Sequence, residues 1–211
     1  MLGKALILEC LKNELVEEIL LISRNSTGMQ HNKLKELLHS DFSNFDALKD
    51  HISGYNTCFY CLGISAAGLS EEKYSKITYD YTINLAELML KVNPNSNFCY
   101  ISGAGTDSTE KGRMMWARVK GKTENKLLSM PFNQAYMFRP GYIQPLDGLK
   151  SRTALYNIAY LFSKPFYFLL KHLPNYITNT RSLAKAMINA VLNGYDKKIL
   201  TAREINDLGK S

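Results

Sequence analysis

Trp116 and Lys120 lie four residues apart in the stretch RMMWARVKGKTENKL, which reads as a helix, so the two side chains share one face. Between Glu110 and Lys126, six basic residues (Lys111, Arg113, Arg118, Lys120, Lys122, Lys126) stand against two acidic ones. The function that fits such a helix is a pocket for a phosphorylated cofactor. Indole N–H donates a hydrogen bond but has no acid/base equilibrium near neutral pH, so Trp116 can neither protonate a carbonyl nor take the proton of an alcohol. The other reactive residue types do less. Cys10, Cys58, Cys61 and Cys99 are dispersed in core-like elements, which fits a reducing compartment. Cys58 and Cys61 spell CxxC, but within the strand-like YNTCFYCLGIS an offset of three sends the thiols to opposite faces, which argues against a dithiol or a zinc pair. His31, His39, His51 and His172 have no ligand spacing, and no metal site is expected.

An alternation of elements must position these residues. Lys4 to Asn13 has helical spacing in Leu6, Ile7, Cys10 and Leu11, with Gly3 immediately ahead. EEILLISRNS is a strand, continuously apolar in its middle as strands buried on both faces are, and it stops at Ser23-Arg24. A helix is expected around NKLKELL, a weak strand or loop near HSDFSNF, a short helix at DALKDHI, and a strong strand NTCFYCLG closed by Gly63. Glu71 to Val92 reads as a long helix ended by Asn93-Pro94. NFCYISGAG is a strand running into a glycine turn, the helix of Trp116 and Lys120 follows, and QAYMFRPGYIQP is a strand ending in a Pro-Gly turn. Strands separated by helical patterns of this length predict an α/β doubly wound parallel sheet, covered by helices on both sides. From about Gln144 the alternation is expected to stop. A helical section with an aromatic cluster (Tyr156, Tyr160, Phe162, Phe166, Tyr167, Phe168) and a final helix, TRSLAKAMINAVLN, then close the chain at Gly194.

Five stretches in this order, LLISRNS, CFYCLGIS, CYISGAG, WARVKGKTE and MFRPGYIQP, resemble the atypical, epimerase-like branch of the short-chain dehydrogenase/reductase superfamily. They correspond to its second, fourth and fifth strands, its catalytic helix and the RPG turn that opens its substrate lobe. The resemblance covers nearly the whole chain. It implies a Rossmann-like NAD(P)-binding domain over residues 1–143 and a mostly helical substrate lobe over 144–211, packed on it as one compact unit. It further implies oxidoreductase or epimerase chemistry on a small carbonyl or sugar-like substrate. Gly3 would offer backbone N–H groups and a helix dipole to a phosphate. Arg24 stands where an acidic residue would bind a ribose 2′-hydroxyl; a cation there suits a 2′-phosphate and favours NADP over NAD. Gly63 would let the backbone pass close to the cofactor, with Ser65 beside it, and Pro140 belongs to the turn that should face it. In the family the lysine at the place of Lys120 binds the nicotinamide ribose and lowers the pKa of a tyrosine four residues before it, the general acid/base. Ser102 resembles the family's hydroxyl at the end of the fifth strand; a shift of register would put Ala104 there, with Thr106 the nearest remaining hydroxyl.

Two departures qualify the resemblance. Trp116 replaces the acid/base tyrosine, so if a hydride moves, another group must handle the proton, and Tyr142, just beyond the RPG turn, is the first candidate. Without proton chemistry the alternative is a non-catalytic NADP(H)-binding regulatory or redox-sensing protein, with Trp116 packed against nicotinamide. The second departure is at the start, where only the last glycine of the family's strand and G-x-x-G-x-x-G turn is matched, by Gly3. A central strand missing from such a sheet leaves two open edges and an apolar trough. Losing four or five large side chains, at roughly 1.5–3 kcal/mol each, costs on the order of 10 kcal/mol. The expectation is therefore a truncated version of a longer product, with weakened cofactor affinity.

Composition excludes several classes. The formal net charge of +7 invites a nucleic-acid reading, but no helix-turn-helix, finger or aromatic-interleaved strand accompanies it, so no nucleic-acid partner is expected. The opening residues lack the apolar core of a signal peptide, and a cytoplasmic location is expected. The most apolar stretch, Leu155 to Leu173, is broken by Lys164-Pro165 and falls short of the roughly 18–20 apolar residues of a span; membrane contact through its aromatics is the lesser reading.

Overall fold

The computed structural model describes residues 1–146, 148 and 175–210. The chain is α/β, with parallel strand pairs separated by helices, as its alternating pattern predicts. It divides into two compact units, and the division runs through two strands.

The first unit holds residues 13–100 and 105–135. Strand β1 (Ile19–Ser23) pairs in parallel with β2 (Leu34–Leu38), Ile19 opposite Leu34 and Ser23 opposite Leu38. The expected helix at NKLKELL is therefore a strand. Its lysines, glutamate and leucines favour a helix intrinsically, but the neighbouring apolar strand offers a complete ladder of backbone partners, and pairing overrides local preference. After the short helix α2 (Lys49–Ile52), β3 (Thr57–Tyr60) pairs in parallel with β4 (Asn97–Ile101), Thr57 opposite Asn97 and Tyr60 opposite Tyr100. Between them the helix starts as α3 (Glu71–Ser75), where the Ser70 side chain accepts from the Lys73 N–H. It passes through a π-helical turn at Lys76–Asp80, continues as α4 (Tyr81–Val92) and stops at Asn93. The fifth helix, α5 (Met115–Ser129), carries Trp116 and Lys120. The break anticipated in the sheet is present: β1 and β2 form a two-stranded sheet of their own, separate from the one that holds β3 and β4.

The second unit holds residues 1–12, 101–104 and 136–211. Helix α1 (Leu2–Lys12) starts two residues earlier than expected and contains Gly3 in its first turn. Strand β5 (Gln134–Arg139) enters this unit at Tyr136 and lies beside the chain that leaves β4, because the Ser102 N–H donates to the Phe138 carbonyl at 2.9 Å and the Ala104 N–H to that of Pro140 at 2.8 Å. A short strand, β6 (Tyr142–Gln144), pairs in parallel with β7 (Ile177–Asn179). Helix α6 (Thr180–Asn193) packs on α1, and after Gly194 the chain continues into β8 (Ile199–Thr201), parallel to β5, and α7 (Ala202–Leu208). The alternation thus resumes after Gln144, and α6 does not close the chain. A three-residue strand has no periodicity to read; β8 exists because β5 supplies its partner, Met137 opposite Ile199. The aromatic cluster from Tyr156 to Phe168 lies outside the described residues. Among the described residues no helix is long and apolar enough to cross a membrane.

Candidate functional site

Helix α5 carries Trp116 and Lys120 in the first unit. Its buried residues, Ala117, Val119, Gly121, Thr123, Glu124 and Leu127, fasten it to the unit, while Trp116 and Lys120 are half-buried. Burial pushes the Lys120 amine down to about 8, against the attraction of Glu124, which raises it. Its charge is therefore held in partly desolvated surroundings, where an ionic contact is stronger than in water. The Trp116 ring lies over the glycine turn that follows β4: a Cβ built on Gly105, where φ is +85°, would stand 3.4 Å from Cη2 of the indole.

A network that sequence reasoning missed holds α5 in register with that turn. The Asp107 N–H donates to the Ala117 carbonyl at 3.1 Å. The Asp107 carboxylate accepts from the Thr109 hydroxyl at 2.7 Å and from the Gly112 N–H at 2.6 Å, and these bonds, the Thr109 hydroxyl first, hold its pKa below the usual range. Arg118 donates to the Gly112 carbonyl at 2.7 Å and pairs with Glu71 at 2.6 Å. Gly121 is the residue that lets helix and turn meet, since a Cβ there would fall 1.8 Å from the Asp107 carbonyl oxygen. The sequence carried one signal for this, a glycine in a helix interior, where it costs about 1 kcal/mol relative to alanine and marks a close approach.

The remaining predicted residues of this unit sit at strand ends. Arg24 is exposed directly after β1, in a turn tied to β2 through Glu36, which accepts from the Thr27 N–H at 2.8 Å. Gly63, beyond β3, is exposed with open space where a Cβ would be, and Ser65 is exposed, its hydroxyl accepting from the Ala67 N–H at 3.3 Å. Cys58 faces burial that drives its thiol pKa far up, which suits an inert thiol.

The second unit holds Ser102, Pro140 and Tyr142. Ser102 is 6% exposed and its hydroxyl donates to the Phe138 carbonyl at 3.2 Å. Pro140 accepts from Ala104. The Tyr142 hydroxyl donates to Oε1 of the buried Gln144 at 2.9 Å. Gly141 between them is pressed against the chain before β7: a Cβ there would lie 2.1 Å from the Tyr176 carbonyl oxygen, the same oxygen to which the Tyr142 N–H donates at 2.9 Å. The RPG turn is therefore a fixed platform, and its glycine is required by contact rather than by a positive φ.

Against known proteins, no protein-family model matches the chain. Solved structures match along nearly its whole length. The Bordetella bronchiseptica enzyme WbmG in complex with NAD superposes with a TM-score of 0.66 at 13% identity, over 99% of this chain and 74% of that one. A UDP-galactose 4-epimerase gives 0.65 at 13% identity, over 95% and 72%. The fold is that of the epimerase-like short-chain dehydrogenases. Curated relatives match over a shorter span. Protein HTATIP2 of Rattus norvegicus is 26% identical over 143 residues, 67% of this chain and 58% of that protein. Protein FMP52-2, mitochondrial, of Scheffersomyces stipitis is 26% identical over 135 residues, 63% of this chain and 57% of that protein. The chain thus spans somewhat under three fifths of the length of these relatives.

Proposed function

We propose that the chain binds NADP(H) and carries oxidoreductase or epimerase chemistry on a small carbonyl or sugar-like substrate. The observation behind this reading is Lys120, a partly desolvated amine one helical turn after Trp116 on a helix clamped to the turn that ends β4. Within the first unit the residues present fit a phosphorylated dinucleotide: Lys120 for the nicotinamide ribose, the exposed Arg24 for a 2′-phosphate and the uncovered backbone at Gly63 for close approach. Bound, the cofactor supplies hydride transfer. This chain's part is to bind and orient it, with Tyr142 as the group proposed to move the proton. Solved neighbours hold NAD; the preference for NADP(H) here rests on Arg24.

Trp116 is the only tryptophan, so titrating NADPH and then NADH while following indole emission tests the binding. Saturable quenching, stronger for NADPH, is the expected result; no quenching with either ends the cofactor reading. A second reading, favoured by Trp116 itself, keeps the cofactor without chemistry. Cofactor oxidation against a panel of aldehydes and ketones separates the two, because only an enzyme turns over. In an active preparation, Tyr142→Phe should lose most of the turnover.

A further inference from the structure

Glu124 is fully buried, at 0% exposure, and it is the only carboxylate or cationic side chain in the buried class among the described residues. A buried carboxylate is costly unless a cation or several donors compensate it. Lys120 lies one turn earlier on the same face of α5, and the attraction between the two opposes the desolvation of the amine. The order of the pair is informative. Lysine four residues ahead of glutamate is the weaker orientation for supporting a helix, so intrinsic helix stability is a poor reason to place the pair there. Tyr100 on β4 is near enough to interact with Thr123 and Glu124, and its pKa is raised by burial first, then by Tyr74, Tyr60 and Glu124. These hydroxyl-bearing neighbours are neutral.

We propose that Glu124 is a positioning residue for Lys120: its buried carboxylate holds the ammonium charged and in one place on α5 for contact with the cofactor. This rests on the NADP(H) reading above. The pair serves a function by opposing the loss of charge that burial favours at Lys120. Glu124 itself touches no ligand in this scheme; it acts through Lys120.

The decisive measurement follows the Lys120 side-chain carbon through a pH titration of the ¹³C-lysine-labelled protein without cofactor, the signal being assigned by its loss in Lys120→Met. In Glu124→Gln the Lys120 midpoint should fall by about one pH unit or more, and Glu124→Asp should restore part of that fall. NADPH affinity, read from Trp116 emission, should drop about tenfold in Glu124→Gln for every pH unit by which the midpoint falls, once the solution pH exceeds the parent's midpoint. An unchanged Lys120 midpoint in a folded Glu124→Gln protein overturns the proposal. Should Glu124→Gln not fold, the double variant Lys120→Met with Glu124→Leu decides: recovery of the fold shows that the carboxylate served the lysine, and failure of both shows a structural role unrelated to it. A lowered midpoint with no NADPH response in the parent protein upholds the pair and overturns the cofactor half, so the two failures are distinguishable.

Discussion

Strands β1 and β4 are each five residues long, each in a parallel pair, and each apolar, yet they have opposite fates. Of the two, ILLIS is the more hydrophobic, but none of its residues is buried, whereas Phe98, Cys99 and Tyr100 of NFCYI are. The difference lies in their neighbours. Strand β4 pairs with β3, and its continuation bonds to Phe138 and Pro140; among the described residues β1 has β2 alone. In parallel pairing successive residues point their backbone groups to opposite edges. The Ile19 N–H donates to Lys33 and the Ser23 carbonyl accepts from His39, so Ile19, Leu21 and Ser23 serve β2 while Leu20 and Ile22 turn theirs to the other edge. Hydrophobicity is thus a capacity for burial, which only a second neighbour converts into stability.

The largest effect should come from Phe98→Ala, at 0% exposure, which is expected to cost about 3–5 kcal/mol in denaturant unfolding. Leu21→Ala, in the half-buried strand, should cost about 1 kcal/mol; an equal loss at the two positions would break the comparison. Between these lies Gly121→Ala, expected to cost about 3 kcal/mol because the new methyl collides with a backbone carbonyl that the Asp107 network holds in place. It should also weaken any NADPH quenching of Trp116. Hydrogen exchange gives a contrast without mutation: the amides of Leu20 and Ile22 should exchange at near-local rates, and those of Cys58 and Tyr60, which point to β4, should be protected.

The finest effect is a slope. Lys120 titrates at about 8 in the folded chain and near its ordinary 10.5 when unfolded, so between these values the unfolded state binds more protons. Stability contributed through Lys120 therefore rises as pH goes from about 8 to 10.5 and is flat below. Unfolding free energies measured across that window should show the rise in the parent protein and lose it in Lys120→Met; a parallel pH profile in the two would show that Lys120 is not desolvated.

Most elements were legible because they rest on local properties. A glycine or proline ends a strand whatever surrounds it, and the spacing of Trp116 and Lys120 on α5 follows from helical geometry. The sequence by itself determined the α/β alternation, the helix of Trp116 and Lys120 and the break beside β1. The tertiary structure alone decided that NKLKELL is a strand, that ILT pairs with β5, that Gly121 and Gly141 are contact points, and that Glu124 is fully buried. Each of these depends on a partner distant in sequence, and the energy that selects it, a shared ladder, a backbone collision or a desolvated charge, exists only once that partner has arrived.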